Sequence, residues 1–193
     1  MKMSSRCRNL KSPIRDIVAA ARKLQAAGKK IYFFNIGDPN KFDFDTPDYL
    51  KDGMKRALDE GAGHYSDSEG DHDLKKAVSE KENRTCGTGL EPHDVIITSG
   101  ISEGVNFLFH AIIEPGRGDE ILMPGPPYSV YPQMAAFASG RPISYRLIEE
   151  QLWQTDIDDL RKKVTPRTKA ICAINPNNPT GSVLHRKALQ EII

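Results

Sequence analysis

The sequence predicts an α/β protein with a parallel sheet and helices on both of its faces. Three observations carry that prediction. From Asp94 onward, short apolar runs alternate with longer segments of helical period, the pattern of strand–helix–strand construction. The runs are continuously apolar, as strands covered on both faces must be. Clusters rich in glycine and proline, at 114–119 and 124–127, separate the elements.

Taken in order, Ser12 reads as an N-cap with Pro13 at the first helical position. Ile14, Ile17, Val18, Ala21 and Leu24 then share one face of a helix that stops at Gly28. The apolar run at 31–36 is a strand or extended segment broken by Gly37-Asp38-Pro39-Asn40. Thr46-Pro47 repeats the cap-and-proline start for a helix with Leu50, Met54, Ala57 and Leu58, ending at Gly61. A loop over 61–70, a short helix around Leu74, Ala77 and Val78, and a polar connection over 83–94 follow. Strands are then expected at 95–98, 121–123, 143–148 and 170–174. Helices are expected at 100–113, at 128–139 with Gly140 as its cap, at 158–164 and at 183–193.

Composition narrows the classes. The 193 residues are 38% hydrophobic and 27% charged with a mean hydropathy of -0.50, ordinary for a globular chain. No stretch approaches the ~18 apolar residues of a membrane span. Cys7, Cys86 and Cys172 are widely separated, so neither a disulfide framework nor a C-x-x-C zinc spacing can be built from them. A reducing, cytoplasmic setting is expected. Residues 1–30 carry nine Lys/Arg against Asp16 alone, while the remainder carries 18 bases and 25 acids. The basic start fits the solvated side of an amphipathic helix better than a nucleic-acid footprint.

Two motifs could carry chemistry. The 97–104 segment runs from a strand into a helix through Thr98-Ser99-Gly100-Ile101-Ser102. Free N–H groups at a helix start attract phosphate, and small residues let it approach. The same residues spell G-x-S-x-G, a nucleophile elbow with Ser102 as nucleophile, Asp158 or Asp159, and His185 in order. A plain glycine turn is the third possibility. The second motif, Asn175-Pro176-Asn177-Asn178-Pro179-Thr180-Gly181, follows a strand directly. Its prolines stiffen the loop, so its asparagines project amide donors and acceptors at defined positions. Strand ends of parallel sheets are where ligands bind.

This heptapeptide resembles the asparagine loop of class I/II, fold-type I pyridoxal-phosphate aminotransferases. The other segments match in order. Asn35 to Asn40 resembles the family's N-terminal substrate segment, and Tyr65 to Gly70 its tyrosine loop. Thr98 to Glu103 resembles its phosphate turn, and Pro124 to Tyr128 its ring-stacking loop. Thr165-Pro166-Arg167-Thr168-Lys169 precedes the asparagine loop as in alanine-type members.

The resemblance implies pyridoxal 5'-phosphate as cofactor, an amino acid and a 2-oxo acid as substrates, and a homodimer. Gly100, Ile101 and Ser102 would hold the phosphate, Tyr128 would stack on the ring, and Asn178 would bond the ring hydroxyl. Tyr65 would reach the phosphate of the other subunit, and Gly37 would leave room for the substrate carboxylate. The bonds before Pro179 and Pro126 are expected to be cis. Residues 1–45 would form an N-terminal arm and the start of a small domain, and 46–193 the first part of a large cofactor-binding domain.

The same resemblance exposes departures. No Ser-x-x-Lys segment with the family's Schiff-base lysine follows the asparagine loop. The aspartate that pairs with the pyridine nitrogen and the carboxylate-clamping arginine are not found either. The chain is therefore expected to be a fragment that stops before the last three strands of its fold and is inactive alone. Those later strands are expected to insert between the four read here, leaving the first without its neighbour and separating the fourth from the second. A carbon–sulfur lyase of the same fold, a hydrolase using Ser102, and a non-catalytic fragment are the alternatives.

Overall fold

A computed structural model of the chain describes residues 13–34, 36–42 and 44–193. Ser12, Cys7 and Asn35, each singled out above, lie outside the described residues. The described chain divides into two compact units, Pro13–Thr98 and Ser99–Ile193.

The Pro13–Thr98 unit contains helices α1 (Pro13–Ala26), α2 (Asp48–Asp59) and α3 (His72–Cys86). α2 starts one residue later than its cap-and-proline signal suggests. Pro47 itself is the N-cap, and no side chain caps the end. α3 runs through residues expected to be a connection. Asp71 accepts the Leu74 N–H at 3.0 Å, and Gly87, at φ +66°, closes the helix in the left-handed region. Asn83 near its end bonds both the carbonyl and the N–H of Leu90 at 2.8 Å, which ties down the loop beyond. Apolar faces of α1 and α2 remain open within this unit: Ile17, Leu50, Met54 and Leu58 are all exposed. Among its described residues Lys75 and Ser79 are the buried ones, with the Lys75 ammonium 2.8 Å from Glu69.

Val95–Thr98 is not assigned as a strand, nor are the described residues 31–34 and 36. Val95 is extended, at φ -113° and ψ 129°, but a strand needs a sheet ladder, and 95–98 is not a strand of the four-stranded sheet. Its Ile97 N–H instead bonds the Glu69 carbonyl at 2.9 Å. Gly70, at φ +104°, lies under Ile97, where an added Cβ would fall 2.4 Å from the Ile97 Cβ. The tyrosine loop is thereby seated on this segment.

The Ser99–Ile193 unit is a three-layer sandwich. Its elements are α4 (Ile101–Ile112), β1 (Glu120–Gly125), α5 (Val130–Phe137), β2 (Arg141–Ile148), β3 (Gln154–Thr155), α6 (Ile157–Lys163), β4 (Thr168–Ile171) and α7 (Arg186–Ile192). The strand order is β3-β2-β1-β4. β1 pairs parallel with β2 and β4, while β2 pairs antiparallel with β3. The sheet is thus mixed. The sequence hid β3 because two residues carry no periodicity.

The strand expected to lie apart from β1 is its direct neighbour: Ile121 stands opposite Ala170 and Leu122 opposite Ile171. The insertion of later strands between these two is thereby excluded. β4 also ends at Ile171, short of the apolar run, although the Cys172 N–H still bonds the Leu122 carbonyl at 2.8 Å.

Two cores follow from the period of β1. Ile121 and Met123 face Val105, Phe109 and Ile113 of α4 and its exit, with Ala135 and Ala138 from the α5 side. Leu122 faces the other way, onto Tyr145, Leu147 and Leu160. α5 is shorter than expected, and Gly140 is not its left-handed residue: Ser139 is, at φ +72°. Gly140 is needed for space, since a Cβ there would lie 2.8 Å from Ile113 Cδ1.

At the N-terminal end of β1, Glu120 is 3% exposed. Thr165 Oγ1 donates to its Oε2 at 2.6 Å, and Arg167 donates from Nε and Nη2 to its Oε1 at 3.2 and 3.1 Å. The Thr165 hydroxyl bond, aided by Arg167 and Arg141, holds the carboxyl below its usual 4.5 despite burial. A depressed folded value means that this stabilisation is complete above the unfolded value and is lost as pH falls through the folded one. We expect the thermal midpoint to fall on acidification through this range. Glu120→Gln should lower the midpoint at neutral pH and flatten that part of the acid slope; an unchanged slope would contradict the assignment.

Candidate active site

Chain direction sets the site. α4 joins β1 through a short turn, so it runs antiparallel to β1, and its N-terminus lies toward the strand's C-terminal edge. β1 and β4 are parallel neighbours, so the loops leaving them open on that same edge. Gly100, Ile101, Ser102, Tyr128 and Asn178 therefore share one edge of this unit. Gly37 and Tyr65 belong to the other unit. Tyr65 is fully exposed in its loop, and Gly37 has open space where a Cβ would stand.

Gly100 caps α4 at φ +87° and ψ 170°, a conformation essentially confined to glycine. The helix ladder begins with Glu103 and Gly104 bonding back to the Gly100 carbonyl at 3.2 and 3.5 Å. The Ile101 and Ser102 N–H groups precede that ladder and point outward at the positive end of a twelve-residue helix. The Ile101 and Ser102 side chains are both exposed. Glu103 turns back to accept the Ser99 N–H at 2.6 Å, which fixes the turn.

Beyond β1, the Gly125–Pro126 bond is cis, as expected. A Cβ on Gly125 would lie 3.3 Å from both Ser144 Cβ and the Tyr145 carbonyl oxygen, so the strand passes β2 closely there. Tyr128 is half-buried, and its ring meets Tyr131 edge-on at 6.1 Å. Tyr131 in turn meets the core ring of Phe109 at 6.4 Å. This relay of rings fixes the start of α5 against α4.

The asparagine loop differs from expectation in one respect. Its asparagines do not all project. Asn175 Oδ1 accepts the Leu184 N–H at 3.0 Å. Asn177, 4% exposed, donates to Thr180 Oγ1 at 2.8 Å. Its backbone bonds Ser182 and Gly181 at 2.8 and 2.7 Å. Asn178 is exposed and forms no side-chain hydrogen bond among the described residues. Asn178–Pro179 is cis as expected, and Asn175–Pro176 is cis as well.

Two supports were missed in the sequence. Tyr145, 1% exposed, donates its hydroxyl to the Cys172 carbonyl at 2.7 Å beneath the loop. Burial pushes its phenol up, and it pushes the Cys172 thiol up to about 11. Gln154 bonds the loop's exit. Nothing in a single Tyr or Gln marks such a role before the fold is known.

The elbow reading finds no support. Asp159 is engaged by the Arg146 N–H and Lys163 Nζ at 2.7 Å each. No hydrogen bond joins Ser102 to a histidine among the described residues. Nor do any three His, Cys, Asp or Glu side chains among them form a metal-binding group.

The donor set suits a flat, anionic, hydroxyl-bearing ring. Two N–H groups ahead of the helix ladder and an exposed serine stand at one helix start, with an aromatic side chain and an unengaged amide on loops that leave the same strand ends. Pyridoxal phosphate has those parts, so the residues present fit it. The strand order and the flanking helices make this an α/β unit of the fold-type I kind.

The chain belongs to the aminotransferases of class I and II, whose family profile matches residues 29–193. It is 37% identical over 191 residues to a probable aspartate/prephenate aminotransferase of Aquifex aeolicus, covering 98% of this chain and 47% of that protein. It is 34% identical over 192 residues to the glutamate-pyruvate aminotransferase of Escherichia coli, covering 100% and 46%. In structure it is similar to an alanine aminotransferase from Pyrococcus furiosus, with a TM-score of 0.94 and 47% identity over 99% of this chain and 48% of that one. The chain spans about half the length of the curated relatives it matches. No helix among the described residues is long and apolar enough to cross a membrane.

Proposed function

We propose that this chain supplies the cofactor-phosphate and cofactor-ring contacts of a pyridoxal-phosphate aminotransferase. It would move an amino group from an alanine-type amino acid to a 2-oxo acid, in a cytoplasmic homodimer. The observation that carries this reading is the common edge of Gly100, Ile101, Ser102, Tyr128 and Asn178. The relatives named alanine and glutamate-pyruvate aminotransferases support the alanine-type substrate, and the aspartate/prephenate relative supports the amino-group transfer alone.

Pyridoxal phosphate, when bound, supplies an electron sink for charge that develops at the substrate α-carbon. The chain's own residues bind and orient. The Ile101 and Ser102 N–H groups and the Ser102 hydroxyl hold a dianion at the helix start. Tyr128 fixes the plane of a ring, and Asn178 donates to its hydroxyl oxygen and favours the deprotonated form. Gly37 leaves the backbone open to a substrate carboxylate, and Tyr65 reaches the phosphate bound by a second subunit. Residues 46–193 act as the cofactor-binding part and 1–45 as arm and small-domain start. No lysine of these 193 residues stands in a Ser-x-x-Lys segment after the asparagine loop. The polypeptide alone should therefore bind the cofactor without turnover.

Equilibrium titration tests this. Asn178→Ala and Ser102→Ala should each weaken pyridoxal phosphate binding about tenfold, as expected for bonds to a charged ligand. Borohydride treatment of the loaded chain should trap no single lysine stoichiometrically. Unchanged affinity in both variants would contradict the site, and one lysine modified to completion would contradict the expected inactivity.

A further inference from the structure

The asparagine loop is anchored at its entrance by β4. Its exit, 182–185, follows no strand and precedes α7. Asn175 bonds Leu184 of that exit from within the loop, and one side chain from another part of the chain holds it from outside. Gln154, on the short antiparallel edge strand β3, is 9% exposed. Its Nε2 donates to the Val183 carbonyl at 2.9 Å and to Ser182 Oγ at 3.1 Å. Its Oε1 accepts the His185 N–H at 3.0 Å. The amide thus uses both its donor and acceptor ends on one four-residue stretch. Among the described residues, no other side chain from outside the 175–185 segment bonds that stretch.

The bonds continue inward from there. The Ser182 carbonyl accepts the Asn177 N–H at 2.8 Å, and Thr180 Oγ1 accepts both the Ser182 N–H at 3.3 Å and the Asn177 amide at 2.8 Å. Asn177 is the residue next to Asn178. A displacement at 182–183 therefore passes through two hydrogen-bonded residues to the exposed amide.

We propose that Gln154 is a positioning residue, which sets the place of Asn178 by clamping the exit of the asparagine loop to the edge of the sheet. As far as the cofactor is concerned, this rests on the reading given under Proposed function.

The test combines amide hydrogen exchange with equilibrium dialysis on the purified chain, Gln154→Leu and Gln154→Glu. Leucine removes every side-chain bond; glutamate keeps an acceptor for the His185 N–H but loses the donor to the Val183 carbonyl. In Gln154→Leu the His185 and Gly181 amides should exchange at least about tenfold faster, while the β1 amides of 121–123 keep their protection. Pyridoxal phosphate should bind about tenfold more weakly. Inorganic phosphate, held at the far side by Ile101 and Ser102, should bind within about twofold of wild type. Gln154→Glu should recover part of the His185 protection and none of the pyridoxal phosphate affinity.

Unchanged loop exchange, unchanged pyridoxal phosphate affinity, or loss of β1 protection together with the loop in both variants would overturn the proposal. If the wild-type chain binds inorganic phosphate but no pyridoxal phosphate, the cofactor reading fails. Exchange at His185 and Gly181 then decides the clamp by itself.

Discussion

Phe109→Ala is expected to remove a large share of the stability of the Ser99–Ile193 unit. Phe109 is 1% exposed and packs with Val105, Ile121, Met123 and Ala135 between α4 and the sheet. Truncating a buried phenylalanine to alanine costs about 3–5 kcal/mol, because the cavity closes only in part. A domain's whole margin is about 5–15 kcal/mol. The ring also carries the Tyr131 contact that steadies Tyr128, so the loss extends to the site edge. Phe107, two residues earlier on α4, is 54% exposed and serves as the control. Its alanine variant should stay within about 0.5 kcal/mol of wild type. Urea unfolding followed by circular dichroism measures both. Equal effects from the two variants would mean that α4 packs on a different face.

Gly100→Val should have the second-largest effect, and it should fall on binding more than on folding. At φ +87° and ψ 170°, residue 100 occupies a region that a β-branched side chain does not tolerate. No atom lies within 4 Å of an added Cβ, so the penalty comes from the backbone alone. Relieving about 1–3 kcal/mol of strain rotates the peptide units that follow. Those units carry the Ile101 and Ser102 N–H groups. Phosphate affinity should drop at least about tenfold, with both groups misaimed. Gly104→Ala, one turn further into α4, should leave phosphate binding unchanged. Isothermal titration with inorganic phosphate reads the difference. Wild-type affinity in Gly100→Val would show that the anion does not sit on this turn.

Much of the unit around β1 was legible from residues alone. Ile121-Leu122-Met123 is apolar without interruption because both faces are covered, and the two cores take alternate residues from it. The phosphate turn and the asparagine loop were visible because glycine, serine, proline and asparagine are rare in that order at strand ends. What stayed hidden was relational. Val95–Thr98 has the composition of a strand, but whether it joins a sheet depends on what stands beside it, and its Ile97 N–H bonds the Glu69 carbonyl. The adjacency of β1 and β4 is a matter of topology, which apolar runs do not encode. Asn177 and Asn178 are identical and adjacent in sequence, yet one is buried and bonded while the other is exposed. Only the fold of the loop separates them. Gln154 reaches residues 28 to 31 positions away, a distance at which no local pattern speaks.

The central claim is that one edge of the Ser99–Ile193 unit is built for pyridoxal phosphate. A crystal structure of the chain with pyridoxal phosphate tests it most directly. The account predicts the phosphate on the Ile101 and Ser102 N–H groups, the ring against Tyr128, and the Asn178 amide within hydrogen-bond distance of the ring hydroxyl. A cofactor phosphate bound elsewhere, or a ring at this edge with Tyr128 and Asn178 both turned away from it, would contradict the account.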